Sequence, residues 1–189
     1  MSLHPVSSVD EQSKSRWTLV KDLFRAFFTI PESGWLGVWF FISRFTWELP
    51  QHILGLAFSL STILAGLVKE IYYFNGSIVV LRNITGKKGE RLRRNKNLSY
   101  LTGVSLGTFL CVGGRASKHR LLAISQHEFG HYLQSRRWGW FYLICIGLPS
   151  IVSASQGPTF HRSMWWEKNA NHLSENYHLA KELHYIALR

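Results

Sequence analysis

The residues of this chain best suited to chemistry are His127-Glu128-Phe129-Gly130-His131. On a helix, side chains four apart share a face, so both imidazoles can reach one metal ion while Glu128 points beside it. Zinc takes neutral nitrogens or anions in roughly tetrahedral order, and a catalytic site keeps one position for water. Zinc lowers the pKa of that water from above 15 to about 7, and an adjacent carboxylate such as Glu128 accepts its proton. Zn2+ is the expected cofactor, with His127 and His131 as ligands and Glu128 as general base.

Two histidines do not complete the shell. Trp165-Trp166-Glu167-Lys168-Asn169-Ala170-Asn171 carries Glu167 and Asn171 four apart. On a helix, Glu167 becomes the third ligand, and Asn171 accepts from the free ring nitrogen of a ligand histidine and fixes its tautomer. His161 competes for the third position. An alternative assignment makes the metal structural, with His161 as a fourth protein ligand that leaves no place for water.

HExxH followed by a helix-borne glutamate resembles the gluzincins, zinc peptidases whose third ligand is such a glutamate. Asn171 stands where an aspartate is commoner in that family, and an amide orients an imidazole without raising its basicity as much. The likeness extends through His127 to Ser135, Gly139-Trp140-Phe141-Tyr142-Leu143, Gly147-Leu148-Pro149-Ser150 and Glu167 to Asn171. These stretches resemble a group of small bacterial proteins that read HEYGHxxQS, then G-x-x-YL, then G-[LI]-P-S, and close with E-K-x-A-N. The resemblance implies an α+β, zincin-like fold, a zinc-dependent hydrolase, specifically a metallopeptidase, and a peptide or protein substrate.

The elements that must position these groups follow from patterning. Ser117 to Gly139 is predicted as one helix, capped by Ser117 and ended by Gly139. Ser77 to Arg82, after Asn75-Gly76, is predicted as a strand, and Tyr100 to Val112 as a second, ending at Gly113-Gly114. In zincin-like folds a sheet edge beside the metal helix holds extended substrate by strand addition. Residues 164–187 are predicted as one helix, with His172 or Tyr177 as an oxyanion donor. Phe141 to Ala154 is an apolar run broken by Pro149, expected as a re-entrant or interfacial helix over the site.

The N-terminal half reads differently. Residues 1–15 are predicted as a flexible tail, 16–70 as amphipathic and hydrophobic helices, and 71–189 as the metal-binding domain. Arg16 to Ile30 places Trp17, Leu19, Val20, Leu23, Phe24, Phe27 and Phe28 opposite Lys21, Asp22 and Arg25. Trp35 to Trp47 is too short to span a bilayer, whereas Leu49 to Val68 reaches the roughly 20 residues a span needs. Basic residues flank both ends of 35–68, which predicts a membrane-embedded hairpin with its basic segments cytoplasmic. The bacterial resemblance then implies the inner membrane.

Composition agrees. Lys and Arg outnumber Asp and Glu by 22 to 11, with eight Trp, seven Tyr and twelve Phe. Such a balance suits nucleic acid or an anionic membrane surface. The basic residues lie beside apolar segments and form no nucleic-acid motif, so membrane lipids are the expected partner. Cys111 and Cys145, the only two cysteines, sit in apolar stretches and predict buried free thiols, not a disulfide framework.

Overall fold

A computed structural model describes residues 4–5, 14–30, 34–82, 103–113 and 118–177. The architecture there is α+β, as the sequence predicts. In chain order the elements are β1 (His4–Pro5), α1 (Arg16–Phe27), α2 (Trp35–Ser43), α3 (Leu49–Leu64), β2 (Val68–Phe74), β3 (Ser77–Arg82), β4 (Gly103–Leu106) and β5 (Phe109–Gly113). There follow α4 (Lys118–Trp138), a π-helical turn (Leu143–Gly147), α5 (Leu148–Ser155), α6 (Pro158–Ser163) and α7 (Trp165–Ser174).

The sheet order is β1-β2-β3-β5-β4. Only β3 and β5 run parallel; the other pairs are antiparallel. Ile78, Val80, Phe109 and Cys111 point to one face and pack with Leu19, Leu23, Ala26 and Phe27 of α1 and Ile63 of α3. Val79, Leu110 and Val112 point to the other and pack with Phe129 and Tyr132 of α4. A central strand covered on both faces needs an unbroken apolar run, and Ile78-Val79-Val80 and Phe109-Leu110-Cys111-Val112 supply it.

The β2–β3 hairpin turns at Asn75 and Gly76, whose φ angles of 47° and 85° are those a two-residue type I′ turn requires. The predicted strand over 77–82 is present, and β2 is its unpredicted partner. The predicted strand over 100–112 is instead a hairpin: its described part breaks at Gly107-Thr108 into β4 and β5. Gly107 has φ +59°, and a side chain there would press on the His52 ring. His52 also holds this turn by hydrogen bonds, accepting at Nε2 from the Thr108 N–H (3.1 Å), with Nδ1 2.8 Å from the Glu48 carbonyl. That pattern requires a neutral ring, and burial lowers the His52 pKa to about 4.

Several expectations for the N-terminal half need correction. His4–Pro5 pairs with Tyr72 and Tyr73 on β2, so the segment read as a flexible tail contains a strand. Asp22 lies on the buried face of α1, in an ion pair with Lys14 at 3.3 Å. No helix among the described residues is long and apolar enough to cross a membrane, so the fold gives no support to the span expected over 49–68. α3 ends at Leu64, Gly66 turns the chain at φ +71°, and β2 starts at Val68. α3 also turns Gln51, His52, Ser59 and Thr62 inwards, and these are held by polar partners. The Gln51 Nε2 donates to the Gly139 carbonyl (2.8 Å) and to Ser135 Oγ (3.3 Å). The basic stretch 83–97 and the Ser117 cap lie outside the described residues; the helix predicted over 164–187 instead runs from Trp165 and ends at Ser174, and positions beyond 177 are likewise outside.

Candidate metal centre

α4 carries the first two predicted ligands and α7 the third. The two helices touch backbone to backbone at Gly130, where a Cβ would lie 1.9 Å from the Ala170 carbonyl oxygen. That approach brings Glu167 Oε2 to 2.9 Å from His127 Nε2 and 3.3 Å from His131 Nε2. The three ligand atoms lie within 4.8 Å of one another.

The outer ring nitrogens are fixed as well. His127 Nδ1 is 2.8 Å from Asn171 Oδ1, and His131 Nδ1 is 2.8 Å from Gln134 Oε1. The Gln134 amide has only one orientation available, because its Nε2 donates to the Trp166 carbonyl (2.8 Å) and to Asn169 Oδ1 (2.9 Å). Its oxygen therefore faces His131 and demands an N–H at Nδ1. In the neutral ring the lone pair is then on Nε2, the nitrogen 3.3 Å from Glu167 Oε2 and the one free to bind a metal; a protonated ring would donate to that carboxylate instead.

The donor set fits zinc. Two ligands each about 2.0–2.1 Å from a tetrahedral metal stand roughly 3.3 Å apart, close to the two histidine–Glu167 separations. Each histidine has an oxygen acceptor behind it, the support that fixes tautomer and ring angle in metal sites. The same groups shift one another's ionisation. Burial would lower the His127 pKa, but the Glu167 carboxylate, the Glu128 charge and Asn171 outweigh it and raise it to about 9. Burial would raise Glu167, but hydrogen bonds with His127, His131 and Ser150 hold it well below the usual carboxylate range.

Glu128 lies in the wall between α4 and the sheet. Its carboxylate occupies the space beside Gly103 of β4, where a Cβ would approach Oε1 to 2.2 Å. Burial raises its pKa, partly offset by His131, His127 and Arg82. A carboxyl so placed holds a proton more readily than an exposed glutamate.

His161 also faces the centre. Its Nε2 is 3.5 Å from Glu167 Oε2, and its Nδ1 is 2.7 Å from Ser153 Oγ. It does not join the compact ligand group formed by the other three. Burial lowers its pKa. The two predicted oxyanion donors are elsewhere: His172 is exposed beside Glu175 at 3.4 Å, and the Tyr177 ring packs on Phe129.

Three residues given no role from the sequence take part. Gln134 orients His131, and Ser150 donates to Glu167 Oε1 at 2.8 Å. Tyr142 is buried with its hydroxyl 3.3 Å from the Ser105 carbonyl of β4. Burial and the charges of Glu128 and Glu167 keep its phenol protonated far above neutral pH. Gln134 lies one helical turn after His131, a spacing that could have signalled its role; Ser150 and Tyr142 are brought in by tertiary packing.

Compared with known protein families, curated proteins and solved structures, the chain gives no match.

Proposed function

We propose that the protein is a membrane-associated, zinc-dependent hydrolase of the gluzincin-like kind, acting on a peptide or protein. The observation that carries the reading is the convergence of His127, His131 and Glu167 on one point, with Asn171 and Gln134 fixing the two imidazoles. Zinc bound there supplies a Lewis acid that acidifies water and polarises a carbonyl. Glu128 takes the proton from the attacking water and returns it to the leaving amine. The protonated Tyr142 hydroxyl, which donates to the Ser105 carbonyl in the fold, would serve a developing oxyanion by exchanging that partner for it. Among the described residues β4 is an edge strand of the sheet, and its Gly103 lies against Glu128, so an extended peptide adding to it would bring its scissile bond past the general base.

The test is the metal content of protein purified in mild detergent without added zinc. About one equivalent per chain is expected, and the His127→Ala, His131→Ala double variant should lose it. Full occupancy in that variant refutes the reading.

The 3.5 Å approach of His161 to Glu167 favours a second reading, in which His161 closes the shell and the metal is structural. Then His161→Ala weakens zinc binding, and the parent hydrolyses no member of a peptide library. In the catalytic reading His161→Ala keeps zinc.

A further inference from the structure

The helical segment from Phe141 to Ser155 is inverted with respect to a soluble protein. Its inward side carries Tyr142, Ile146 and the two serines of the metal centre: Ser153 is buried, and Ser150 donates to Glu167. Its outward side carries Phe141, Ile144, Leu148, Ile151 and Val152, at 59, 67, 59, 65 and 56% exposure. These positions recur at three- and four-residue spacing, so they form a continuous apolar stripe along the π turn and α5. A monomer in water rarely leaves such a stripe open.

The surroundings specify what covers it. At one end of the stripe lies a cleft of about 410 Å³ lined by Trp47, Arg137, Trp138, Phe141, Trp165 and Asn169. Trp140 leaves its ring exposed while its Nε1 donates to the Thr46 carbonyl at 2.7 Å. A tryptophan with its apolar ring outward and its N–H satisfied suits the boundary between lipid tails and headgroups. The bordering helices present exposed Arg137, Arg162 and Lys168. Asp22, Glu48, Glu128 and Glu167 are meanwhile buried, which leaves the surface more basic than the net charge of +11 conveys. An apolar stripe rimmed by tryptophan and cations is complementary to an anionic bilayer.

We propose that the outer face of the π turn and α5 docks on an anionic phospholipid bilayer and sets the metal centre at headgroup depth. α5 is then both the lipid contact and a wall of the site. A helix is about 10 Å across, and an interfacial helix sinks roughly 5–10 Å into the headgroup boundary, so Ser150 and Glu167 on its inner side lie level with the headgroups. The bond attacked belongs to a substrate that is itself at the membrane surface, such as the juxtamembrane stretch of an anchored polypeptide. The docking rests on the membrane part of the proposed function and is independent of the metal, whereas the siting of the attacked bond rests on the hydrolase reading as well.

The experiment is flotation of the full chain, diluted from mild detergent, with vesicles of phosphatidylcholine alone or with one third phosphatidylglycerol. The parent should float with the anionic vesicles and stay bound in high salt. Ile144→Glu/Ile151→Glu should lower the bound fraction about tenfold or more, since two apolar anchors are lost and repulsive charge is added. Ile144→Ser/Ile151→Ser should also weaken binding, without the added charge. Trp17→Glu/Ile30→Glu, equally exposed on and beside α1, should float like the parent. Circular dichroism and zinc content report that each variant is folded. A parent that floats with neither vesicle overturns both this inference and the membrane reading. Parental flotation of the Ile144/Ile151 variants, or equal loss in the Trp17/Ile30 variant, overturns the inference alone.

Discussion

Gly130→Ala tests whether the spacing between α4 and α7 builds the metal centre. On helix propensity alone the substitution should stabilise α4 by about 1 kcal/mol. Packing opposes it. The new methyl would stand 1.9 Å from the Ala170 carbonyl oxygen, 2.5 Å from its carbon and 2.9 Å from its Cα. The obstruction is backbone and cannot rotate away, so the helices must part by roughly 1 Å, at a cost typical of overpacking of about 1–3 kcal/mol. Glu167 moves with α7. Ligand distances in a metal site tolerate only about 0.2 Å, so the His127 and His131 separations of 2.9 and 3.3 Å should open beyond what one ion bridges. Zinc affinity should fall by more than the 10 to 100 fold typical of losing an outer hydrogen-bond partner.

Two measurements separate these effects: thermal unfolding in a chelator, which reads packing alone, and competition for zinc against a chromophoric chelator. The expected result is a lower melting temperature in the chelator and a large further loss of metal affinity. A variant as stable as the parent that binds zinc equally well would show that α7 does not need this contact to deliver Glu167, and would refute the reasoning.

Glu128→Gln should keep zinc and lose about 10² to 10⁴ in hydrolytic rate, whereas Glu167→Gln should weaken zinc itself and Asn171→Ala should do so by about 10 to 100 fold; equal zinc binding in all three sinks the assignment of roles. Tyr142→Phe should retain zinc and lose about 10² or more in kcat if its hydroxyl meets the oxyanion, and an unchanged kcat removes it from the mechanism. His52 is neutral in the fold with its pKa at about 4, against 6.5 when unfolded. Between those values the unfolded chain binds the extra proton, so stability is fully present above pH 6.5 and falls as pH drops towards about 4, by roughly 3 kcal/mol. Chemical denaturation of parent and His52→Gln across that range checks it: the variant should lack this part of the slope.

The sequence by itself determined the local parts. The i, i+4 pair His127/His131 can lie only on one face of a helix, and Gly139, at φ +52°, ends that helix where its freedom from a Cβ permits. The same spacing argument pairs Glu167 with Asn171, and the Ile78-Val79-Val80 run reads as a strand because β-branched side chains fit a pleated surface. Patterning failed where polar residues face inwards. The apolar stretch over 49–68 reads as a span because hydropathy counts residues without asking which side they face; in the fold Gln51, His52, Ser59 and Thr62 are buried beside Ile63, while Ile53, Leu54 and Leu64 are exposed. Tyr100 to Val112 reads as one strand because Gly107 breaks it only through a left-handed backbone held by His52, 55 positions earlier in the chain. Tertiary structure alone decided that Ser150 meets Glu167 and that Gln134 is oriented by α7, that His161 faces Glu167 while His172 does not, and that Gly130 sets the helix spacing. Each of these is a contact between segments far apart in sequence, and composition and periodicity carry no information about the distance between them.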